Sequence, residues 1–362
     1  MIMHVVGNRP QLIKLAPLSR ELKKQGFTDM VIHTGQHYDE NMSDIFFEEL
    51  GIEKPYSNLR VGSGTHAHTT GVAMIELEKL MMEIKPEVVV VYGDTNSTVA
   101  AAMAAAKLEI PIVHVEAGPR TFVKNNPEEI NRTIVDHIST VLCCPDEVSV
   151  QNLRRENILT GVHLTGDIMY DTFKYCKQKS TGNILEEYQV EKENFVLMTW
   201  HRQENTSSKE RMCHILDFIQ KIEYQVVCPL HPRTKSMLQK YDLFEKAKSL
   251  KNLKIVEPIG YMEMVDLMNQ CKFILCDSGG VSKETYFAGK TCYFMLNFNP
   301  WVKLVENGNI ITMDIDDIND RNLKAKMANE SKTTQGMFDD SLFGNGTTAK
   351  CIVDIMKREH LI

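Results

Sequence analysis

Short apolar runs alternate with amphipathic stretches along almost the whole chain. The runs are rich in Val, Ile, Leu and Cys, as expected of strands buried on both faces of a parallel sheet, and the stretches repeat apolar residues at helical spacing. The runs predict strands at Met1–Val6, Met30–Thr34, Val88–Tyr92, Ile110–Val115, Val141–Cys144, Asn194–Thr199, Gln225–Pro229, Lys254–Glu257, Phe273–Cys276, Thr291–Leu296 and Ile310–Met313. The stretches predict helices at Leu12–Lys24, Thr70–Ile84, Ser97–Lys107, Lys209–Ile222, Val281–Ala288 and Thr347–His360. This alternation predicts an α/β fold of parallel sheets with crossover helices.

Two domains are expected from the length of 362 residues, which is long for a single core. The regularity is weakest between Cys176 and Glu193, a segment rich in Lys, Glu, Gln and Ser, so we place the connection between domains there. The first predicted domain covers residues 1–175 and the second covers residues 176–346. The helical spacing of apolar residues near the C-terminus predicts that residues 347–362 pack back on the first domain.

The composition narrows the class of protein. Hydrophobic residues make up 43% and charged residues 25%, and no apolar run approaches the roughly 20 residues that span a bilayer, so we expect no membrane association. The N-terminus lacks the pattern of a signal peptide, and the nine cysteines are scattered without a CxxC pair, which favours the cytoplasm. A net charge of −7 without a basic stripe argues against a nucleic-acid partner.

Acidic side chains follow two predicted strands of the first half. Asp94 comes just after the strand Val88–Tyr92, and Glu116 directly follows Ile110–Val115. Because open α/β folds bind ligands at the carboxyl ends of their strands, both carboxylates are candidates for catalysis. Two other interpretations stay open: Asp94 also suits a helix N-cap, and Glu116 could form a surface pair with Arg120.

The segment His114–Arg132, HVEAGPRTFVKNNPEEINR, has a high density of ionisable residues directly after a predicted strand. Such a density is untypical of simple packing. It contains the acids Glu116, Glu128 and Glu129 and the bases Arg120 and Arg132. The pattern favours acid–base chemistry, for which carboxylates must lie close together.

Basic residues follow the first predicted strand, where Gly7 permits a tight turn and Pro10 suits the first turn of a helix. Arg9 and Lys14 lie on either side of this helix start, whose free amides favour an anion, so the segment is a candidate phosphate site. A plain helix start with exposed basic residues is the other interpretation. The motif matches neither GxGxxG nor GxxxxGK[ST].

Two histidines end strands of the second half. His201 and Arg202 follow Asn194–Thr199, and His231 follows Gln225–Pro229. The imidazole of His201 suits an acid or a ligand contact, whereas a lone histidine is more often structural, and the same two interpretations apply to His231.

The glycine-rich segment Cys276–Glu284 is the clearest phosphate-type motif. Ser278, Gly279 and Gly280 precede a predicted helix, so backbone amides can approach a diphosphate closely. Glu284, one turn into the helix, suits a neutral hydroxyl such as that of a ribose. A glycine-rich turn without a ligand is the other interpretation.

Metal binding is not expected. His66 and His68 have the wrong spacing for one helix face, and the pair His114 and Glu116 lacks the PCxxC partner of a zinc deaminase. We read His33, His37 and His137 as structural, and we predict no cofactor.

Taken together, eight motifs in this order resemble those of the non-hydrolysing UDP-N-acetylglucosamine 2-epimerase family: GNRPQLIKLAPL, HTGQHYD, VYGDTNST, HVEAGPRT, PEEINR, TWHRQEN, PLHPR and DSGGVSKE. The resemblance spans nearly the entire chain. It implies a GT-B-like fold of two Rossmann-type domains whose parallel sheets face a central cleft that holds the nucleotide sugar. It also implies a homodimer.

The resemblance implies an isomerase that inverts C2 of UDP-GlcNAc to give UDP-ManNAc, by eliminating UDP to form a 2-acetamidoglucal and adding it back. The catalytic residues it implies are Asp94, Glu116, Glu128 and His201. The substrate-binding residues we assign with it are Arg9, Lys14, Arg120, Arg132, Arg202, His231, Ser278, Gly279, Gly280 and Glu284. Arg9 and Lys14 would lie on the phosphate side, and Ser278 to Glu284 would contact the diphosphate and the ribose.

Two segments depart from the family pattern. Pro119 stands where Leu is usual, and Met295–Trp301 replaces the usual RDxTEW element. The second change leaves open a modified sugar, such as UDP-2,3-diacetamido-2,3-dideoxyglucuronate, as the substrate. A GT-B glycosyltransferase and an inactive nucleotide-sugar binding protein are the alternatives from other classes, although three clustered acids suit proton exchange at one carbon better than sugar transfer.

Overall fold

The computed structural model describes residues 1–35, 47, 49–62, 64–180, 183–316 and 342–362. The chain folds into two compact units. The first comprises Met1–Tyr175 with the C-terminal segment that ends at Ile362, and the second begins at Cys176. His37, for which we predict a structural role, and part of the HTGQHYD motif lie outside the described residues.

The first unit contains a seven-stranded sheet in which every neighbouring pair is parallel, with the order β3-β2-β1-β4-β5-β6-β7. Its central strands are buried along their whole length, as their continuous apolar sequences require. The strands are β1 Ile2–Val6, β2 Asp29–His33, β3 Ser57–Asn58, β4 Val88–Tyr92, β5 Ile112–Val115, β6 Val141–Cys144 and β7 Val162–Leu164.

Helices connect these strands. They are α1 Arg9–Lys24, α2 His66–Ile84, α3 Asn96–Lys107, α4 Pro127–Ile138, α5 Glu147–Arg155 and α6 Ile168–Lys179. Alanines of α3 belong to one buried cluster with Val89 and Val91 of β4, so this helix packs close to the sheet. The C-terminal helix, α15 Thr348–Arg358, packs on α1 and belongs to this unit.

The second unit contains a six-stranded parallel sheet with the order β10-β9-β8-β11-β12-β13. Its strands are β8 Phe195–Thr199, β9 Gln225–Pro229, β10 Leu253–Val256, β11 Phe273–Cys276, β12 Cys292–Phe294 and β13 Ile310–Thr312. Its helices are α7 Ile184–Glu187, α8 Gln203–Thr206, α9 Lys209–Gln220, α10 Pro232–Lys240, α11 Phe244–Ser249, α12 Tyr261–Gln270, α13 Gly279–Phe287 and α14 Val302–Glu306.

The predicted fold class is confirmed, since both units are α/β structures with parallel sheets. Four predicted strands are reproduced in full: Val88–Tyr92, Val141–Cys144, Gln225–Pro229 and Phe273–Cys276. The pattern missed the edge strands β3 and β7, which have two and three residues and are only partly buried. Among the described residues, no helix is both long and apolar enough to cross a membrane.

Candidate functional site

In both sheets the strand order reverses at one point, and some of the predicted site residues follow the strands on either side of it. The reversal falls between β1 and β4 in the first unit and between β8 and β11 in the second. The crevice at the carboxyl ends of such strand pairs is where open α/β sheets bind ligands. Lys14 and Asp94 follow the first pair, and His201 and Ser278 follow the second.

Glu116 and Lys14 form an ion pair in the first unit. Nζ of Lys14 lies 2.8 Å from Oε2 of Glu116, and the two side chains are only 9% and 16% exposed. Glu116 follows β5 with a φ of 70°, in the left-handed region that residues with a Cβ rarely adopt. Strained conformations of this kind concentrate at active sites, where surrounding contacts enforce them.

Gly93 gives the ion pair the space it occupies. A Cβ at this position would lie 3.2 Å from Nζ of Lys14 and 3.8 Å from Oε1 of Glu116, and the φ of Gly93 is 61°. Any other side chain would strain the backbone and crowd the ammonium group.

Asp94 lies beside the same charges. The guanidinium of Arg132 donates a hydrogen bond to Oδ2 of Asp94. Burial raises the pKa of Asp94, and the charges of Glu116 and Glu128 raise it further, whereas Arg132 and Lys14 lower it. The net shift is upward, which favours the protonated acid.

The alternative role of Asp94 as a helix cap is wrong. The N-cap of α3 is Thr95, whose side chain accepts a hydrogen bond from the backbone N–H of Thr98 in a capping box. The carboxylate of Asp94 is therefore left for Arg132.

Glu128 and Glu129 lie in the first turn of α4 and differ in environment. Glu128 is exposed, and its charge acts on Asp94. Glu129 is buried and accepts hydrogen bonds from the backbone N–H groups of Thr121 and Phe122. Burial raises the pKa of Glu129, but these hydrogen bonds outweigh that effect and the net shift is downward. Glu129 thus holds the preceding loop in place.

The alternative pairing of Arg120 with Glu116 is also wrong. The Arg120 side chain is 1% exposed and its Nε and Nη2 atoms donate to the carboxylate of Glu156 at 2.7 and 2.8 Å. Its Nη1 atom lies 2.7 Å from Oδ2 of Asp136. Because these carboxylates occupy the guanidinium, we assign Arg120 to positioning rather than to direct substrate contact.

Gln11 contributes to the site although the sequence pattern did not reveal it. Its Oε1 accepts from the N–H of Gly7 at 2.7 Å, and its Nε2 donates to the carbonyl of Tyr92 at 2.7 Å. It thereby joins the end of β1 to the end of β4. The sequence feature that could have indicated this role is its position in the first turn of α1, directly after Pro10. Arg9 begins this helix and is partly buried.

In the second unit, Asp277 organises the loop that follows β8. Its buried carboxylate accepts from the backbone N–H groups of His201 and Arg202 and from Nδ2 of Asn205. Nδ1 of His201 lies 3.5 Å from Oδ1 of Asp277. Asp277 was not among the predicted site residues, although it lies within the glycine-rich segment Cys276–Glu284.

The ring of His201 stacks on that of His231, with centroids 5.1 Å apart. His231 is the N-cap of α10, and its Nδ1 accepts from the N–H of Arg233 at 3.2 Å. The partly exposed side chain of Arg202 lies 3.9 Å from the carboxylate of Glu204.

Ser278 is the N-cap of α13, and Gly279 and Gly280 form the first turn of this helix. Their backbone N–H groups and the positive end of the helix dipole make this turn suited to an anion. Glu284 is buried one turn further, where Tyr261 donates a hydrogen bond to its Oε1 at 2.7 Å.

The segment Met295–Trp301, which differs from the family pattern, packs on the turn that contains Gly279. Nε1 of Trp301 donates to the carbonyl of Gly279 at 2.7 Å, and Nδ2 of Asn299 donates to Oγ of Ser282 at 3.1 Å. Nζ of the buried Lys283 lies 4.3 Å from the centroid of the Trp301 ring, within the range of a cation–π interaction. The segment therefore packs on the candidate anion-binding turn without supplying an acid or an arginine. Within the described residues, no group of three or more His, Cys, Asp or Glu side chains could hold a metal ion.

Comparisons with known proteins agree with the motifs. The sequence profile of the family described as UDP-N-acetylglucosamine 2-epimerase matches residues 20–357. A protein of Methanococcus maripaludis described as a UDP-N-acetylglucosamine 2-epimerase homolog is 46% identical over 85% of this chain and 87% of its own length. The UDP-2,3-diacetamido-2,3-dideoxy-D-glucuronate 2-epimerase of Pseudomonas aeruginosa is 37% identical over 99% of both chains.

A solved structure has a similar fold. The UDP-GlcNAc 2-epimerase of Methanocaldococcus jannaschii, crystallised with UDP-GlcNAc and UDP, has a TM-score of 0.86 and 39% identity over 99% of both chains.

Proposed function

The chain belongs to the UDP-N-acetylglucosamine 2-epimerase family, and from that premise we propose that it is an isomerase that inverts C2 of UDP-GlcNAc to give UDP-ManNAc. The observation that carries this proposal is that two acidic side chains at adjacent strand ends lie in different electrostatic environments. Glu116 is ion-paired with Lys14, whereas burial raises the pKa of Asp94. Inversion of a C–H centre needs such a base and such an acid together.

The proposed reaction balances with these two groups. Glu116 takes the C2 proton while the bond from C1 to the UDP oxygen breaks and a C1–C2 double bond forms. Asp94 then delivers its proton to the opposite face of C2 as the UDP oxygen bonds to C1 again. Exchange with solvent restores both protonation states. Arg132 stabilises the carboxylate of Asp94 after proton transfer, and Glu128 adds negative charge that favours its protonated form.

For the second unit we propose binding of the diphosphate and the ribose. Ser278, Gly279 and Gly280 would donate to the diphosphate at the N-terminus of α13, and Glu284 would accept from a ribose hydroxyl. His201, held by Asp277, would stabilise the departing diphosphate oxygen. Arg9, Arg202 and His231 remain proposed contacts of the substrate.

A modified UDP-sugar is a second candidate substrate. The relative from Pseudomonas aeruginosa that acts on UDP-2,3-diacetamido-2,3-dideoxy-D-glucuronate is similar along its whole length. The chain also lacks the usual RDxTEW element, and Met295–Trp301 contributes no charged side chain in its place. UDP-GlcNAc is the primary proposal, and the modified sugar is the alternative.

The test is incubation with each UDP-sugar in deuterated water, followed by NMR at C2. We expect deuterium at C2 and formation of the epimer, and Glu116→Gln should abolish both while UDP binding is retained. Glu78→Gln, which changes an exposed glutamate on α2, is the control. If every UDP-sugar tested stays unchanged, the epimerase proposal is refuted and an inactive nucleotide-sugar binding protein is favoured. Transfer of the sugar to an added acceptor would favour a glycosyltransferase.

We further propose that the active form is a homodimer, as the family resemblance suggests, and that the protein acts in the cytoplasm. All nine cysteines are free thiols, which fits a reducing compartment. Sedimentation velocity tests the first point, and cell fractionation of the tagged protein tests the second.

A further inference from the structure

One imidazole joins the ends of the two strands that precede the proposed catalytic carboxylates. His114 lies on β5 and is fully buried. Its Nε2 lies 2.8 Å from the carbonyl oxygen of Gly93, the residue before Asp94. Its Nδ1 lies 2.7 Å from Oδ1 of Asp136, which is buried in α4.

Both ring nitrogens of His114 face acceptors. A carbonyl oxygen can only accept, so Nε2 carries a proton. Burial raises the pKa of Asp136, but His114 and Arg120 outweigh that effect and the net shift is downward. The ring thus bridges the carbonyl of Gly93 and the carboxyl group of Asp136.

The second carboxylate oxygen of Asp136 contacts the loop that carries Glu116. Oδ2 accepts from the backbone N–H of Gly118 at 3.2 Å and lies 2.7 Å from Nη1 of Arg120. Gly118 has a φ of 91°, and a Cβ there would lie 2.5 Å from the carbonyl oxygen of Ser149. The backbone two residues after Glu116 is thus fixed between Asp136 and α5.

We propose that His114 and Asp136 are positioning residues that hold the loops of Asp94 and Glu116 in register for proton transfer. This inference rests on the proposed function, in which Asp94 and Glu116 exchange protons at C2. Neither His114 nor Asp136 touches the substrate; each acts through backbone groups, at Gly93 and at Gly118.

The chain contains a matched control for this pair. His4 and Asp29 form a second buried histidine–carboxylate pair in the same sheet, with Nε2 of His4 3.4 Å from Oδ2 of Asp29. This pair joins β1 to β2, and Nδ1 of His4 lies 2.8 Å from the hydroxyl oxygen of Tyr92 rather than from a backbone group of a catalytic loop. Asp29→Asn removes a buried carboxylate of the same type without loosening the proposed catalytic loops.

The experiment compares Asp136→Asn with Asp29→Asn in the full chain. For Asp136→Asn we expect kcat to fall by about 100-fold, since a displacement of about 1 Å at reacting groups costs that much, with KM and the Kd of UDP within about twofold of the parent. For Asp29→Asn we expect a lower melting temperature and an unchanged kcat. An equal loss of kcat in both variants would show a structural role only and would overturn the inference.

A second measurement does not depend on activity. Amide hydrogen exchange followed by mass spectrometry should rise in peptides containing residues 93–95 and 116–121 of Asp136→Asn, and in neither for Asp29→Asn. His114→Gln serves as the second variant if Asp136→Asn does not fold, and it should affect the same peptides. Unchanged exchange in these peptides would refute the positioning role even in an active enzyme. Conversely, raised exchange in a chain that epimerises no sugar would contradict the proposed function alone.

Discussion

The ammonium group of Lys14 lies 2.8 Å from a carboxylate oxygen of Glu116, and both side chains are largely shielded from water. An opposite charge at this distance favours the ionised carboxylate, which is the form that a base requires. The family resemblance places Lys14 on the phosphate side instead. The two assignments differ in measurable ways.

Lys14→Met should impair proton transfer more than nucleotide binding. Loss of the ammonium removes an opposite charge that favours ionised Glu116, so the acid limb of the pH profile of kcat should move to higher pH. We expect kcat at pH 7 to fall by on the order of 10- to 100-fold with a nearly unchanged Kd for UDP. Lys24→Met, at the exposed end of the same helix, should change neither quantity. A large rise in the Kd of UDP with an unmoved acid limb would instead place Lys14 at the diphosphate.

Asp171 should make stability depend on pH. Its carboxylate accepts from the N–H groups of Thr348 and Ala349 at the start of α15, and burial raises its pKa from 3.8 to about 6. The folded chain therefore binds more protons than the unfolded chain between these values, so the free energy of unfolding falls as pH rises through them. The fall is on the order of 3 kcal/mol.

Urea denaturation between pH 4 and about 6.5 measures this slope. Asp171→Asn should flatten it, whereas Asp354→Asn, which changes an exposed acid on α15, should leave it in place. An unchanged slope in Asp171→Asn would mean that other groups cause the pH dependence.

Trp301→Phe should weaken UDP binding. The indole N–H donates to the carbonyl of Gly279 in the proposed diphosphate turn, and Phe keeps the ring near Lys283 but loses this hydrogen bond. A hydrogen bond contributes about 1 kcal/mol net, so we expect the Kd of UDP to rise about fivefold by isothermal titration calorimetry. Trp301→Leu also loses the cation–π contact and should raise the Kd further. An unchanged Kd in Trp301→Leu would show that the turn is stable without this segment.

The sequence correctly predicted that Asp94 and Glu116 follow strands, because both come after continuous apolar runs. The carboxyl ends of such strands meet at one edge of a parallel sheet. It could not assign their partners. Arg120 lies four residues from Glu116 but pairs with Glu156 and Asp136, because side chains select partners by tertiary packing rather than by sequence distance.

The same reason explains two omissions. Asp136 reads as a polar position of an amphipathic helix, and its role follows only when α4 packs beside β5. Asp277 reads as the last residue before a glycine turn, whereas its function is to accept hydrogen bonds from a loop 76 residues earlier in the chain. Short edge strands such as β7 gave no apolar run, because half-buried strands do not need one.

His201 and His231 are stacked, yet their replacement should have unequal effects. His201 is held beside Asp277 at the proposed diphosphate site, whereas Nδ1 of His231 is occupied as the N-cap of α10. If His201 stabilises the departing oxygen, His201→Asn should lower kcat by about 100-fold or more and slow deuterium incorporation at C2 equally. His231→Asn retains a side chain that can cap, so its kcat should change by less than about tenfold. Accumulation of free UDP and the 2-acetamidoglucal in His201→Asn, without deuterium at C2 of the nucleotide sugar, would instead place His201 in the return of UDP to C1.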